Sequence, residues 1–234
     1  MKKNWIILFV SVTVVAASCK NSTISENERK GVKEVITLYG GKVKVSKQDS
    51  SSPAGNKNIV QVQLSQSKFA DNYTAMEMPE LPASGVAYAF YKNLGNEKQK
   101  YSHVKTQLVL KNGEKEDYEF PVNELELVIS KIAIAQKIGD LIKQRKYEAL
   151  KPLLDSSYGG YNKEQFIENL EETDSRLGKA NELVIVGFRF YKLSGKDIIH
   201  ISGQMMRGGT ANAMSIDIDP SDQQERAIMI NYKI

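Results

Sequence analysis

The sequence predicts an α+β protein in two units, on three observations. Apolar residues alternate in some stretches and recur every three or four positions in others. Turn chemistry separates the alternating runs, at Asn112-Gly113, Ser194-Gly195-Lys196 and Gly208-Gly209. Helical patterns cluster between residues 123 and 178, and four strand patterns follow, the order expected when helices cover one face of an antiparallel sheet.

The first segment is not part of either unit. Lys2 and Lys3 precede an uncharged run from Trp5 to Ala17, and Ser18 and Cys19 follow. A basic start, a short apolar run and a small-residue exit make a secretory signal. Thirteen apolar or small residues are too few to favour a permanent span, which takes about 20. Ala16-Ala17-Ser18-Cys19 resembles the lipobox of bacterial lipoproteins, with Ala16 where Leu is usual. That resemblance implies that residues 1–18 are cleaved and that Cys19 carries lipid as the new N-terminus. Cys19 is the only cysteine, so no disulfide forms within the chain, and lipidation gives an otherwise unpartnered exported thiol a use. A single acyl chain holds a membrane only marginally, and the several chains of a mature lipoprotein would hold it firmly.

Cleavage would remove two lysines and no acid, lowering the formal net charge from +4 to +2. Nothing in the remainder has the clustered basic face of a nucleic-acid binder. Residues 19–27 are polar and small and read as a flexible tether.

The N-terminal unit spans residues 28–121 with the order α-β-β-α-β-β. Val32, Val35, Ile36 and Tyr39 lie at helical spacing before Gly40-Gly41, which ends a helix over 28–39. Val43 and Val45 mark a short strand, residues 49–57 a turn-rich loop, and Val60, Val62 and Leu64 a second strand. Prolines disfavour regular structure from Met76 to Pro82, after which Ser84 is the expected cap of a helix carrying Val86, Ala87, Phe90, Tyr91 and Leu94. Residues 103–111 and 114–120 are strands, with Asn112-Gly113 as a type I′ hairpin turn.

The C-terminal unit spans 122–234. Asn123 with Glu126 is the expected cap of a long helix through Leu125, Val128, Ile132, Ala135, Ile138 and Ile142, broken near Lys151-Pro152. Tyr147, Leu150, Leu153 and Leu154 suggest a short helix. Asn162 with Gln165 starts another that stops at Gly178. Strands are expected at 182–193, 197–206, 210–219 and 226–234, the first three in an antiparallel meander. This order, with Tyr147-Glu-Ala-Leu150, Arg176-Leu-Gly178 and Val186-Gly-Phe188, resembles the cystatin-like and NTF2-like folds of small exported bacterial domains. The resemblance implies a cone-shaped sheet that often holds a pocket, on which enzymes, binding proteins and inert scaffolds all occur.

Few chemistries are open to the chain. Its two histidines, His103 and His200, fall in strands of different units, with no ligand at a metal-site spacing, and a strand histidine satisfied by solvent or one hydrogen bond is the ordinary case. Asp217-Ile-Asp219-Pro-Ser221-Asp222 has the start of a calcium loop, but Asp222 and Ile228 stand where that loop needs Gly and Glu. No Gly-x-Ser-x-Gly elbow is present, and Gly40-Gly41, Gly159-Gly160 and Gly208-Gly209 lack the spacing that cradles phosphate, so no metal and no cofactor is expected.

Two places are candidate ligand sites. Tyr158-Gly-Gly-Tyr161 could stack on a sugar or peptide, or could simply close the core edge. Arg189, His200 and Gln204 sit on neighbouring strands and would orient a ligand if they face a pocket. The sequence thus favours a non-catalytic, membrane-anchored envelope lipoprotein that binds a protein partner or small ligand through its second unit. The alternatives are a hydrolase or isomerase built on Arg189 and His200, and a spacer.

Overall fold

A computed structural model describes residues 24–52, 55–155 and 162–232. It is a mixed α+β structure with two four-stranded sheets, the second wholly antiparallel and preceded by helices. No helix among the described residues is long and apolar enough to cross a membrane.

Helix α1 (Glu26–Tyr39) begins two residues earlier than the tether allows. Ser25 and Glu28 form a reciprocal capping box: the Ser25 hydroxyl accepts from the Glu28 amide at 3.2 Å, and the Glu28 carboxylate accepts from the Ser25 amide at 2.7 Å. Strands β1 (Lys42–Ser52) and β2 (Gly55–Ser65) then pair antiparallel almost to the turn. The loop expected at residues 49–57 is therefore largely ladder, because backbone pairing continues past the last apolar side chain.

Helix α2 (Lys68–Ala75) has no counterpart in the sequence reading. It is capped by Ser67, whose hydroxyl accepts from the Ala70 amide and donates to the Tyr39 carbonyl. Helix α3 (Glu80–Tyr91) runs straight through the proline-rich stretch. Pro82 lies in the first turn, where a missing amide proton breaks no helical bond. Ser84 is thus inside the helix rather than at its cap. A 3-10 segment (Gly95–Lys100) leads to β3 (His103–Val109), which pairs parallel with β2 and antiparallel with β4 (Lys115–Pro121).

The β3–β4 turn is not type I′. Gly113 has φ +88° whereas Asn112 is absent from the positive-φ positions, and Gly113 N donates to Leu110 O at 2.9 Å. The Asn112 side chain accepts from the Glu114 amide at 3.0 Å, an Asx turn that keeps Asn112 on the negative side and leaves a three-residue loop.

Helix α4 (Val122–Lys143) follows β4 without a break, so Asn123 lies within it and caps nothing. It ends at Lys143, before the break expected near Pro152, and Tyr147–Leu153 is a 3-10 segment. Helix α5 (Lys163–Leu177) is capped by Asn162, which accepts from the Gln165 amide, and stops at Gly178 as expected. Strands β5 (Leu183–Leu193), β6 (Lys196–Arg207), β7 (Thr210–Ile218) and β8 (Ala227–Tyr232) form the meander. Ser194 and Gly195, and Gly208 and Gly209, all have positive φ, which makes the two tight turns type I′.

One hydrophobic core runs through both units, from Val35 to Ile230. Its centre is α3, in which every residue from Leu81 to Tyr91 is buried. A helix apolar all round must be covered all round, and α3 packs on α1, on the first sheet and on β5, the edge strand of the second. The contact with β5 is specific. Ser84 Oγ accepts from the Phe188 amide at 2.8 Å, and the Tyr39 hydroxyl donates to the Val186 carbonyl at 2.9 Å. A Cβ on Gly187 would lie 1.9 Å from the Leu81 carbonyl oxygen, and one on Gly85 would lie 2.1 Å from that of Val186. Backbone meets backbone here, and only glycine permits it.

Gly187→Ala should therefore destabilise the protein by about 3 kcal/mol or more, since the clash is with main chain that cannot swing away. Ser84→Ala should cost about 1–3 kcal/mol by orphaning the Phe188 amide. Urea denaturation midpoints of the two variants against the parent measure both effects.

Candidate functional site

The second sheet sorts its side chains by alternation. Ile199, Ile201, Met205, Met214, Ile216, Ile218 and Ile230 fill the face turned to α4 and α5, all at most 4% exposed. That face is packed solid. Arg189, His200 and Gln204 lie on the other face.

Arg189 and His200 are register partners on β5 and β6, and Asp217 of β7 is the next residue in the row. His200 Nδ1 lies 2.6 Å from Asp217 Oδ1, with the carboxylate almost wholly buried and the imidazole half-buried. With Nδ1 donating to this carboxylate, a neutral imidazole would present Nε2 as its acceptor. Tyr191 stands edge-on to the imidazole, 6.4 Å between ring centres. Burial, then the nearby Asp217 carboxylate, pushes the Tyr191 hydroxyl up to about 12. Arg189 reaches Glu80 of α3 at 3.7 Å, a solvent-screened pair of little energetic weight. Gln204 is four residues farther along β6, beside the Tyr73 hydroxyl of α2 instead. The structure thus brings Arg189 and His200 together, adds Asp217 and Tyr191, and leaves Gln204 apart.

His103 also has company, with Ser102 Oγ at 2.9 Å and Glu119 at 3.6 Å. Among the described residues no three His, Cys, Asp or Glu side chains gather as a metal would require. Asp217 turns to His200, Asp219 to Ser221, and Asp222 to Arg226. Cys19, Tyr158 and Tyr161 lie outside the described residues.

Two features were not visible in the sequence. The first is a buried ionic knot under the end of α5. Arg207, without exposed side chain, donates from Nη1 to Asp174 and to the Gly178 carbonyl, and from Nε to the Tyr232 hydroxyl at 2.7 Å. Asp174 also accepts from Arg145 at 2.6 Å and from the Tyr147 hydroxyl. Among the described residues Arg207 Nη2 has no hydrogen-bond partner. The second is a cleft of about 540 Å³ between α5 and β8. Asn162, Gln165, Asn169, Glu172 and Arg176 follow one ridge of α5 along its wall, and Asn231 and Tyr232 form the other side. Tyr232 belongs to both features, so the knot fixes the cleft's inner end.

The outer edge of β8 borders this cleft. Leu154 pairs with it in parallel at Ala227, and the Asp155 amide donates to the Ala227 carbonyl at 2.8 Å. From Met229 to Tyr232 no described residue pairs with that edge. A concavity of about 350 Å³ between α1, α3, α4 and β5 is acidic, with Glu34, Asp140 and Glu182 against Lys92. Comparison with protein-family models, curated proteins and solved structures finds no match to this chain.

Two measurements probe this geometry. Asp174→Asn should lose about 3–5 kcal/mol of stability, because it strands the Arg207 cation in the core. Adding Arg207→Met to that variant should recover part of the loss in the same unfolding experiment. The second concerns pH: between 10 and 12 the folded state holds the Tyr191 proton that the unfolded chain releases, so stability falls as pH rises through that window. Tyr191→Phe should make the decline shallower between pH 10 and 12.

Proposed function

We propose that this chain is an envelope lipoprotein, held to a bacterial membrane by lipid on Cys19, that is non-catalytic and binds a partner protein through the α5–β8 cleft. The observation that carries the binding reading is the strand edge at Met229–Tyr232 beside a row of amide side chains. An extended segment laid there would continue the ladder that Leu154 begins, with main-chain bonds supplying affinity and Asn162, Gln165, Asn169 and Asn231 reading the segment's polar groups. The inner face of the sheet is filled by Ile199, Ile201, Met205, Met214, Ile216 and Ile218, so the space for a ligand lies at its β8 margin, where the cleft opens. The helices-then-meander order supports a cystatin-like or NTF2-like assignment for residues 122–234, with residues 28–121 as a second unit joined to it through α3.

A second reading, a hydrolase or isomerase, draws on the 2.6 Å His200–Asp217 pair. It would be chosen if turnover of a chromogenic ester panel disappeared in His200→Ala.

The anchor and the cleft have separate tests. Expressed from its full sequence in a bacterial host, the protein should yield an N-terminal peptide that begins at Cys19 and carries a diacylglyceryl thioether by mass spectrometry. A free thiol or a retained leader would sink the anchor. A photo-reactive residue at Asn169 should capture a polypeptide in native membranes, and Asn231→Trp, which fills the cleft, should cut capture at least tenfold with an unchanged unfolding midpoint. Capture of a small molecule alone, or capture indifferent to the filled cleft, would discard the partner reading.

A further inference from the structure

The outward face of α1 has two ridges at four-residue spacing. One carries exposed Ile36 and half-buried Val32, which also packs against the core, in line with buried Glu28 and half-buried Ile24; the other carries Arg29, Lys33 and Thr37. Glu28 aside, these residues line a shallow, mostly apolar depression on the surface. Ile36 is 42% exposed, one of the most exposed large apolar side chains described. The opposite face, with Gly31, Val35 and Tyr39, is buried in the core. Two of the three acids in α1 are already occupied, Glu28 by Tyr101 and Lys47 and Glu34 by Lys92 and Asn93. The third, Glu26, is matched by Lys30 at 3.2 Å. Arg29 and Lys33 have no carboxylate at salt-bridge distance among the described residues, so the face is apolar with a net positive rim.

The position of this face in the chain matters as much as its composition. Five residue steps separate Cys19 from Ile24, and a fully extended chain spans at most about 3.6 Å per step. Whatever its conformation, the connection is no longer than about 18 Å. A lipid on Cys19 therefore places the first turn of α1 within that distance of the bilayer surface.

We infer that the outer face of α1 is a docking surface for an anionic lipid bilayer. This rests on the lipoprotein reading and deepens it: the lipid on Cys19 brings the helix to the membrane, and the helix fixes how the body sits there. Ile36, with the outer part of Val32 beneath it, enters the headgroup boundary, while Arg29 and Lys33 meet lipid phosphates, the division of labour of an interfacial amphipathic helix. Acylation and face then act as the two signals that stable anchoring needs.

The test uses the full chain made in a bacterial host and reconstituted through its own N-terminus. Ile36→Cys is labelled with bimane, and Asn231→Cys, exposed on the far edge of the second sheet, is the control. In vesicles of phosphatidylcholine with one-third phosphatidylglycerol and nitroxide-headgroup lipid, bimane at position 36 should be quenched severalfold more than at 231. Arg29→Glu with Lys33→Glu should abolish the difference, and vesicles of phosphatidylcholine alone should weaken it. Equal quenching at the two positions, or quenching indifferent to lipid charge, overturns the inference. So does a photo-reactive residue at position 36 that captures a protein instead of lipid in native membranes. Mass spectrometry of the same preparation reads Cys19 independently: an acylated chain with unquenched bimane fails the docking surface alone, and an unacylated chain fails the anchor.

Discussion

The structure depends on the covering of one strand edge. β5 is the edge of the second sheet, and an edge strand offers unpaired amides and carbonyls to any other chain. α3 and α1 satisfy two of these groups with side chains, Ser84 at the Phe188 amide and Tyr39 at the Val186 carbonyl. Because Gly85 and Gly187 let the backbones touch, the two sheets share one core. α3 is apolar on every side for that reason, and the C-terminal meander has its edge closed by residues more than a hundred positions upstream.

Much of this fold could be read locally and some could not. The Asn162–Gln165 cap, the Gly178 stop and the four strands of the meander follow from short-range chemistry, and they stand within two residues of expectation. Ser25-Glu-Asn-Glu28 carried an equally plain capping signal, lost inside a stretch read as tether. Asn112-Gly113 shows the opposite failure: the dipeptide suits type I′, but an Asx bond from Asn112 to Glu114 holds another turn. The first turn of α3 was expected to be irregular because its prolines were weighed without regard to position, although the helix from Ser84 onward was legible from Val86, Ala87, Phe90 and Tyr91. Its burial on all sides, with Ser84 inside it, is what the spacing of those residues does not show.

The site divides in the same way. That Arg189 and His200 would be neighbours follows from strand order and turn length. Which face they occupy does not, because alternation fixes only that residues two apart agree. The α5–β8 cleft needs β8 laid across from α5, which no local pattern encodes, although the ridge Gln165, Asn169, Glu172 and Arg176 was visible as a polar helix face. Arg207 lies one residue past the strand expected at 197–206, where the pattern assigns it nothing. Only the fold shows that Asp174, Arg145, Tyr147 and Tyr232 converge on one spot.

The distribution of ionisable groups bears on binding against catalysis. A catalytic carboxylate or imidazole works when it is desolvated and held with one side open to a reacting atom. Here the buried acids are engaged: Glu28 with the α1 cap, Tyr101 and Lys47; Asp155 with Arg226; Asp174 with Arg207, Arg145 and Tyr147; Asp219 with Ser221; and Asp217 with His200, the pair on which the catalytic alternative draws. The two surfaces proposed to bind hold amides, a strand edge that no described residue covers from Met229 to Tyr232, and a cationic apolar helix face. Such groups bind at modest desolvation cost and have little capacity to move protons at neutral pH. Among the described residues the buried acids are paired and polar neutral groups line the α5–β8 cleft, and it is on that distribution that the binding proposal rests.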